Sequence, residues 1–148
     1  MKYPPTVMRP LDELVAAFRD ATLPRAEWTH TAHLRVGAWH VHHHGATAAL
    51  ALLRERITRL NERHGTVNSD TSGYHETITV AYVRLIDAFL ATFAPGVALD
   101  ARAGALLDGP LADRAVLFRF WSREALLSVA ARRAWVEPDL APLLLPPR

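Results

Sequence analysis

A chain of 148 residues that is 50% hydrophobic and 22% charged has enough apolar side chains for one core, which sets aside global disorder and points to a single domain. It has no cysteine, so disulfide frameworks, thiolate zinc sites, cysteine-held iron–sulfur clusters and cysteine nucleophiles are excluded, and any metal must be held by nitrogen and oxygen. The 17 basic residues exceed the 15 acidic ones by a formal +2, and the pI of 9.5 reflects arginine, which keeps its proton at any accessible pH. Those arginines are scattered, and the densest group (Arg54, Arg56, Arg59, Arg63) is interrupted by Glu55 and Glu62. The pattern fits a solvated helix face rather than a one-sided basic surface, so no nucleic-acid partner is expected. The opening MKYPPTVMRP lacks the apolar run of a secretory signal, and no stretch approaches the roughly 20 apolar residues that span a bilayer. A cytoplasmic location without a membrane partner is the expectation.

Residues 1–9 read as an irregular lead-in. Pro10, Asp12 and Glu13 then open a helix with the stripe Leu11, Leu14, Val15 and Phe18, because proline suits the first turn and carboxylates favour the positive end of the dipole. Pro24 closes that element. A second helix is predicted from about Arg25 to His44, with Gly45 in the capping position, and a third over 47–64, with Leu53, Ile57 and Leu60 at helical spacing and Gly65 as its cap. The segment Thr66–Gly73 is rich in turn formers and is expected to launch a fourth helix from Thr71 or Ser72. That helix, about 74–94, carries Ile78, Tyr82, Leu85, Ile86, Phe89 and Phe93 on one face and stops at Pro95-Gly96. Shorter helices are predicted near 98–107, 111–120 and 122–134, followed by an extended tail with Pro138, Pro142, Pro146 and Pro147. The sum is an all-α, single-domain helical bundle over 1–148, with about five to seven helices and an extended C-terminal tail.

The eight histidines carry the chemistry. At about 100° per residue, with His30 at zero, His33 falls at about 300°, Gly37 at about 340°, His40 at about 280° and His44 at about 320°, so they share one stripe. His30 and His33 are neighbours able to bind one ion, whereas His40 lies about 15 Å along the axis from His30. Gly37 leaves room in that stripe for a neighbour or a ligand. His75 heads the apolar stripe of the fourth helix, and His64 ends that of the third. Imidazoles on facing helices are the usual way a bundle builds a metal site without thiolate. The expected site is therefore a divalent ion (Zn, Fe, Ni or Mn) held by His30, His33 and His75, set against the alternative that these are hydrogen-bonded structural histidines. Glu76 and His64 are the catalytic candidates beside it. A bare His75-Glu76 lacks the second ligand of an H-E-x-x-H helix, and a first-turn carboxylate that stabilises the dipole is the competing role for Glu76. The consecutive residues of His40–His44 point in different directions on a helix, so that run is read as mostly surface.

The runs Glu27–Leu34 (EWTHTAHL), Asn61–Gly65 (NERHG) and Gly73–Thr79 (GYHETIT) resemble those of a group of small bacterial proteins for which no activity is established. The likeness extends to Pro110–Asp113 and Ser122–Glu124, but here Phe120-Trp121 stand where the group would have two tyrosines. The resemblance implies that these segments belong to one pattern and supplies no reaction.

Two functions follow. The first is a small metal-dependent enzyme in which three imidazoles leave the ion its full charge, activating water or oxygen against a small-molecule substrate, with hydrolase or hydratase chemistry favoured over a non-haem oxygenase. Trp28, Asn68, Tyr74, Thr79 and Arg123 are its expected substrate-binding or supporting residues. The second is a non-catalytic helical module that binds a small molecule or a protein. The apolar tail Leu140–Pro147 is suited to pack on the body or on a second copy in a homodimer.

Overall fold

The computed structural model describes residues 8–147, so most of the predicted lead-in lies outside the described residues. Six α-helices are found among them, with no strand: α1 (Leu11–Arg19), α2 (His30–Arg63), α3 (Glu76–Leu90), α4 (Leu99–Leu106), α5 (Arg123–Leu126) and α6 (Val129–Arg133). The all-helical bundle read from the sequence is what the chain forms.

α1 starts at Pro10 and buries Leu11, Leu14, Val15 and Phe18, as the stripe requires. The next element differs from expectation at its start. Arg25–Glu27 is a separate 3-10 turn, and α2 begins only at His30, where the Thr29 hydroxyl accepts the backbone N–H of Ala32. α2 then runs through Arg63 but is broken at Gly45, whose φ of 77° and ψ of 163° no other residue type adopts readily. On a straight helix His40 and Arg56 would be separated by about 24 Å. Instead Arg56 Nη1 lies 2.8 Å from His40 Nε2, so the chain turns back at Gly45 and the two halves pack as an antiparallel hairpin. This is the second and third helix of the sequence pattern, joined by one residue.

The loop between α2 and α3 is pinned by Asn68. Its Oδ1 accepts from the backbone N–H of Tyr74 (2.9 Å) and from Asn61 Nδ2 (3.1 Å), while its Nδ2 donates to the Thr58 carbonyl (3.1 Å). Gly73 sits against it with φ 78°, and a Cβ there would stand 2.5 Å from Asn68 Oδ1. The N-cap of α3 is therefore His75, not Thr71 or Ser72: the loop is held closed by Asn68, and the first free amides to be capped lie beyond it. α3 lies against α2 and buries Val80, Val83, Ile86 and Phe89, while Gly37 lets Ile86 approach so closely that a Cβ at Gly37 would be 2.8 Å from its Cδ1.

Beyond α4 the chain departs further from the predicted helices. The stretch predicted as a helix over 111–120 forms two 3-10 turns, Pro110–Ala112 and Val116–Arg119, and 122–134 is split at Ser128, whose hydroxyl caps α6. Short elements with few internal bonds are stabilised by packing, here of Leu111, Val116, Leu117 and Trp121 in the core. The tail folds back on the body. Trp121 Nε1 donates to the Val136 carbonyl (3.0 Å), Leu140 N donates to the Phe120 carbonyl (2.9 Å), and Leu143 and Leu145 pack on the core, leaving Leu140 and Leu144 exposed. No helix among the described residues is long and apolar enough to cross a membrane.

Candidate functional site

A cavity of about 550 Å³ opens between the two halves of α2, α3 and the segment 114–127. Its walls are apolar: Leu34 and Gly37 from the first half of α2, Leu53 and Ile57 from the second, Ile78, Val83 and Ile86 from α3, and Leu117, Phe118, Leu126 and Leu127 across from them. The polar groups that reach it are His30 and His33 at the N-terminal turn of α2, Thr79 and Tyr82 on α3, and Arg25 and Arg114. A mostly apolar concavity of this size with a few polar groups is the usual form of a small-molecule site.

The two histidines each have one nitrogen committed to a backbone carbonyl. His33 Nδ1 lies 2.7 Å from the Thr29 carbonyl and His30 Nε2 lies 2.8 Å from the Leu111 carbonyl. A carbonyl only accepts, so each of these nitrogens donates, and the lone pair of a neutral ring is left on His33 Nε2 and on His30 Nδ1. The His33 ring stacks on Trp28 with centroids 3.6 Å apart, and Trp28 in turn stacks on Phe18 at 5.1 Å, so an aromatic pile rooted in α1 fixes its plane. His33 lines the cavity and is exposed. The protein atoms packed around the ring lower its pKa to about 4 against the opposing bond to Thr29, with His30 and Arg114 adding smaller downward effects. Tyr82, edge-on to His30 at 5.5 Å, is pushed up to about 12 by burial and by Asp113, so its phenol keeps its proton. Its hydroxyl makes no hydrogen bond among the described residues.

The other predicted site residues are placed elsewhere. His75 does not join His30 and His33: its Nδ1 accepts the Ile78 amide (3.1 Å) as the cap of α3, and its Nε2 donates to the Leu126 carbonyl (2.8 Å). Both of its nitrogens are thus engaged, and no three His, Asp or Glu side chains form a metal-binding group among the described residues. The donors fit a pair of imidazoles, short of the three protein ligands typical of a catalytic zinc site. His64 caps the end of α2, and its Nε2 donates to the Leu23 carbonyl (2.7 Å), tying that end to the loop after α1.

Glu76 faces away from the cavity. Arg54 Nε contacts both its oxygens (2.9 and 3.0 Å), Arg54 Nη2 bonds it as well, and the Tyr74 hydroxyl donates to it at 2.7 Å. Burial alone would raise its pKa, but those bonds and the charge of Arg54 outweigh burial and hold it below the ordinary carboxylate range. Tyr74 is consumed in this contact, Asn68 in the loop, and Arg123, which does not line the cavity, lies over the Phe118 ring at 4.9 Å. Trp28 and Thr79 do line the cavity. His42, His43 and His44 stay exposed, and His40 is buried with Nδ1 bonded to the Val36 carbonyl at 2.7 Å.

Tyr82 and Arg114 are among the lining residues that the sequence does not mark as site residues. Tyr82 reads there as one more apolar-face residue, and Arg114 stands in a turn where no periodicity marks it. Comparison with family models, with curated proteins and with solved structures gives no match.

Proposed function

We infer that this chain is a small-molecule enzyme whose site is the α2–α3 cavity and whose acid–base group is His33. The observation that carries the reading is the His33 Nε2 lone pair on a cavity wall, in a tautomer set by the Thr29 carbonyl and in a ring neutral at pH 7. Such a nitrogen can take a proton from a bound hydroxyl, water or acidic C–H, and the phenol of Tyr82, which lines the same cavity beside His30, can donate to an oxygen that gains charge as it does so. A base with a pKa this low is weak until its surroundings change. Binding of an anion beside Arg114 would cancel one of the effects that lower it and bring it nearer the working pH.

The test is to incubate the protein with a complex mixture of small metabolites and follow its composition by mass spectrometry, with His33→Gln and Tyr82→Phe run in parallel. Expected is at least one compound consumed by the parent chain, not by His33→Gln, and more slowly by Tyr82→Phe, with all three proteins melting as folded chains. No compound whose turnover depends on His33 would overturn the reading.

A second reading is favoured by the matched backbone bonds of His30 and His33, since an imidazole whose far nitrogen donates to a carbonyl is oriented as metal ligands usually are. Here a divalent ion would rest on the two rings, with the ligand completing its coordination. Zinc or iron that copurifies at about one per chain, survives changes at His42 and His43 and is lost in His30→Ala and His33→Ala supports it. Metal retained in both of those variants rejects it.

A further inference from the structure

The charged side chains that line the cavity are cationic. Arg25 and Arg114 line it and no carboxylate among the described residues does: Glu76 is turned to Arg54, and Asp113, whose charge is felt at Tyr82, stays outside the lining with its side chain on the Ala115 amide (2.9 Å). Of the two cations, Arg25 is committed to the His64 carbonyl and to the Thr66 hydroxyl (3.2 Å). Arg114 has no hydrogen bond and no ion pair among the described residues. Arg114 lines the same cavity as His33 and Tyr82, and Tyr82 stands edge-on at 5.5 Å to His30, one helical turn from His33, so these groups share one end of the cavity. That end lies at the N-terminal turn of α2, where the helix dipole favours negative charge. The other walls, including Leu53, Ile57, Ile78, Val83, Ile86 and Leu126, offer hydrocarbon alone.

Resting on the reading of this cavity as a small-molecule site, we propose that its ligand is an amphipathic monocarboxylate, with its carboxylate on Arg114 and Tyr82 and its apolar body between α2 and α3. A guanidinium matches a planar carboxylate through paired N–H donors, and a phenol adds a third bond to the same group. One free cation suits a single negative charge, whereas a dianionic phosphate would call for more donors than this end supplies. An apolar body suits the remaining walls, where a polar group would find few partners.

The experiment measures binding to the full chain by calorimetry and thermal shift with octanoate, octanol, octylammonium, octyl phosphate and acetate, while the His33 ring nitrogens are followed by NMR. Expected is that octanoate binds at least tenfold more tightly than octanol and octyl phosphate, that acetate and octylammonium do not bind detectably, and that the His33 Nε2 signal moves on addition of octanoate. Arg114→Gln, an exposed substitution that leaves the core untouched, should weaken octanoate at least tenfold and leave octanol unchanged. Equal binding of octanol, tighter octyl phosphate, or an Arg114→Gln protein that holds octanoate as well as the parent would overturn the carboxylate assignment. If octanol still moves the His33 signal, the cavity reading survives that failure. If no member of the series binds and the His33 signal never moves, the assignment falls and the cavity reading falls with it.

Discussion

His33 donates its Nδ1 proton to the carbonyl of Thr29 at 2.7 Å, and Thr29 is the residue whose hydroxyl caps the helix on which His33 stands. One residue therefore uses its side chain to start α2 and its main chain to choose which nitrogen of His33 faces the cavity. The two roles are separable, because a substitution removes the hydroxyl and leaves the carbonyl.

Thr29→Ala should accordingly lower stability by about 1 kcal/mol, the usual effect of losing an N-cap hydroxyl. The Nδ1-protonated tautomer of His33 should persist. Denaturant unfolding gives the first quantity and imidazole nitrogen NMR the second. A tautomer change in Thr29→Ala would show that the carbonyl alone does not set it.

His40 makes stability fall in acid. It is fully buried between Val36 and Arg56, and its pKa is lowered to about 4 by burial, opposed by the Val36 bond and assisted by the charges of Arg56, His44 and Arg19. Below its ordinary value of 6.5 the unfolded chain takes up a proton that the folded ring refuses, so the loss begins there and grows as pH falls towards 4. The His40 contribution across that window is about 2–3 kcal/mol, because each tenfold loss of proton affinity on folding corresponds to about 1.4 kcal/mol. Urea unfolding at pH 7 and pH 5 should show the drop, and His40→Asn should flatten it relative to the parent. An equal drop in both proteins would assign the acid sensitivity to other groups.

His75 holds two elements together, and its removal should act on stability. His75→Ala loses the cap on Ile78 and the bond to Leu126, a combined cost of about 2–3 kcal/mol. His75→Asn keeps a capping side chain and should recover about half of that. Thermal unfolding of the two variants decides it, and an Asn variant no better than Ala would argue against the capping role.

Gly73 and Gly45 share a positive φ, 78° and 77°, but differ in their surroundings. A Cβ at Gly45 meets nothing within 4 Å, whereas at Gly73 it would meet Asn68 Oδ1 at 2.5 Å and the Val67 carbonyl oxygen at 2.7 Å. Gly45→Ala should cost about 1 kcal/mol through backbone strain alone, and Gly73→Ala distinctly more, because backbone as well as side chain must move. Equal melting temperatures for the two variants would contradict the packing at the Asn68 loop.

What the sequence determined by itself is whatever depends on near neighbours along the chain. The apolar stripes of α1 and α3 and the break at Gly45 are legible because helical spacing and a positive φ are local properties. So is the adjacency of His30 and His33, one turn apart. The tertiary structure decided what each imidazole does, since the carbonyls that claim His30, His64 and His75 belong to Leu111, Leu23 and Leu126, between 41 and 81 residues away along the chain. It also decided that Arg114, in a turn without periodicity, reaches the same cavity as His33. A side chain's second nitrogen, or an unpaired charge, is assigned by whichever distant backbone packs against it, and no spacing rule along the chain carries that information.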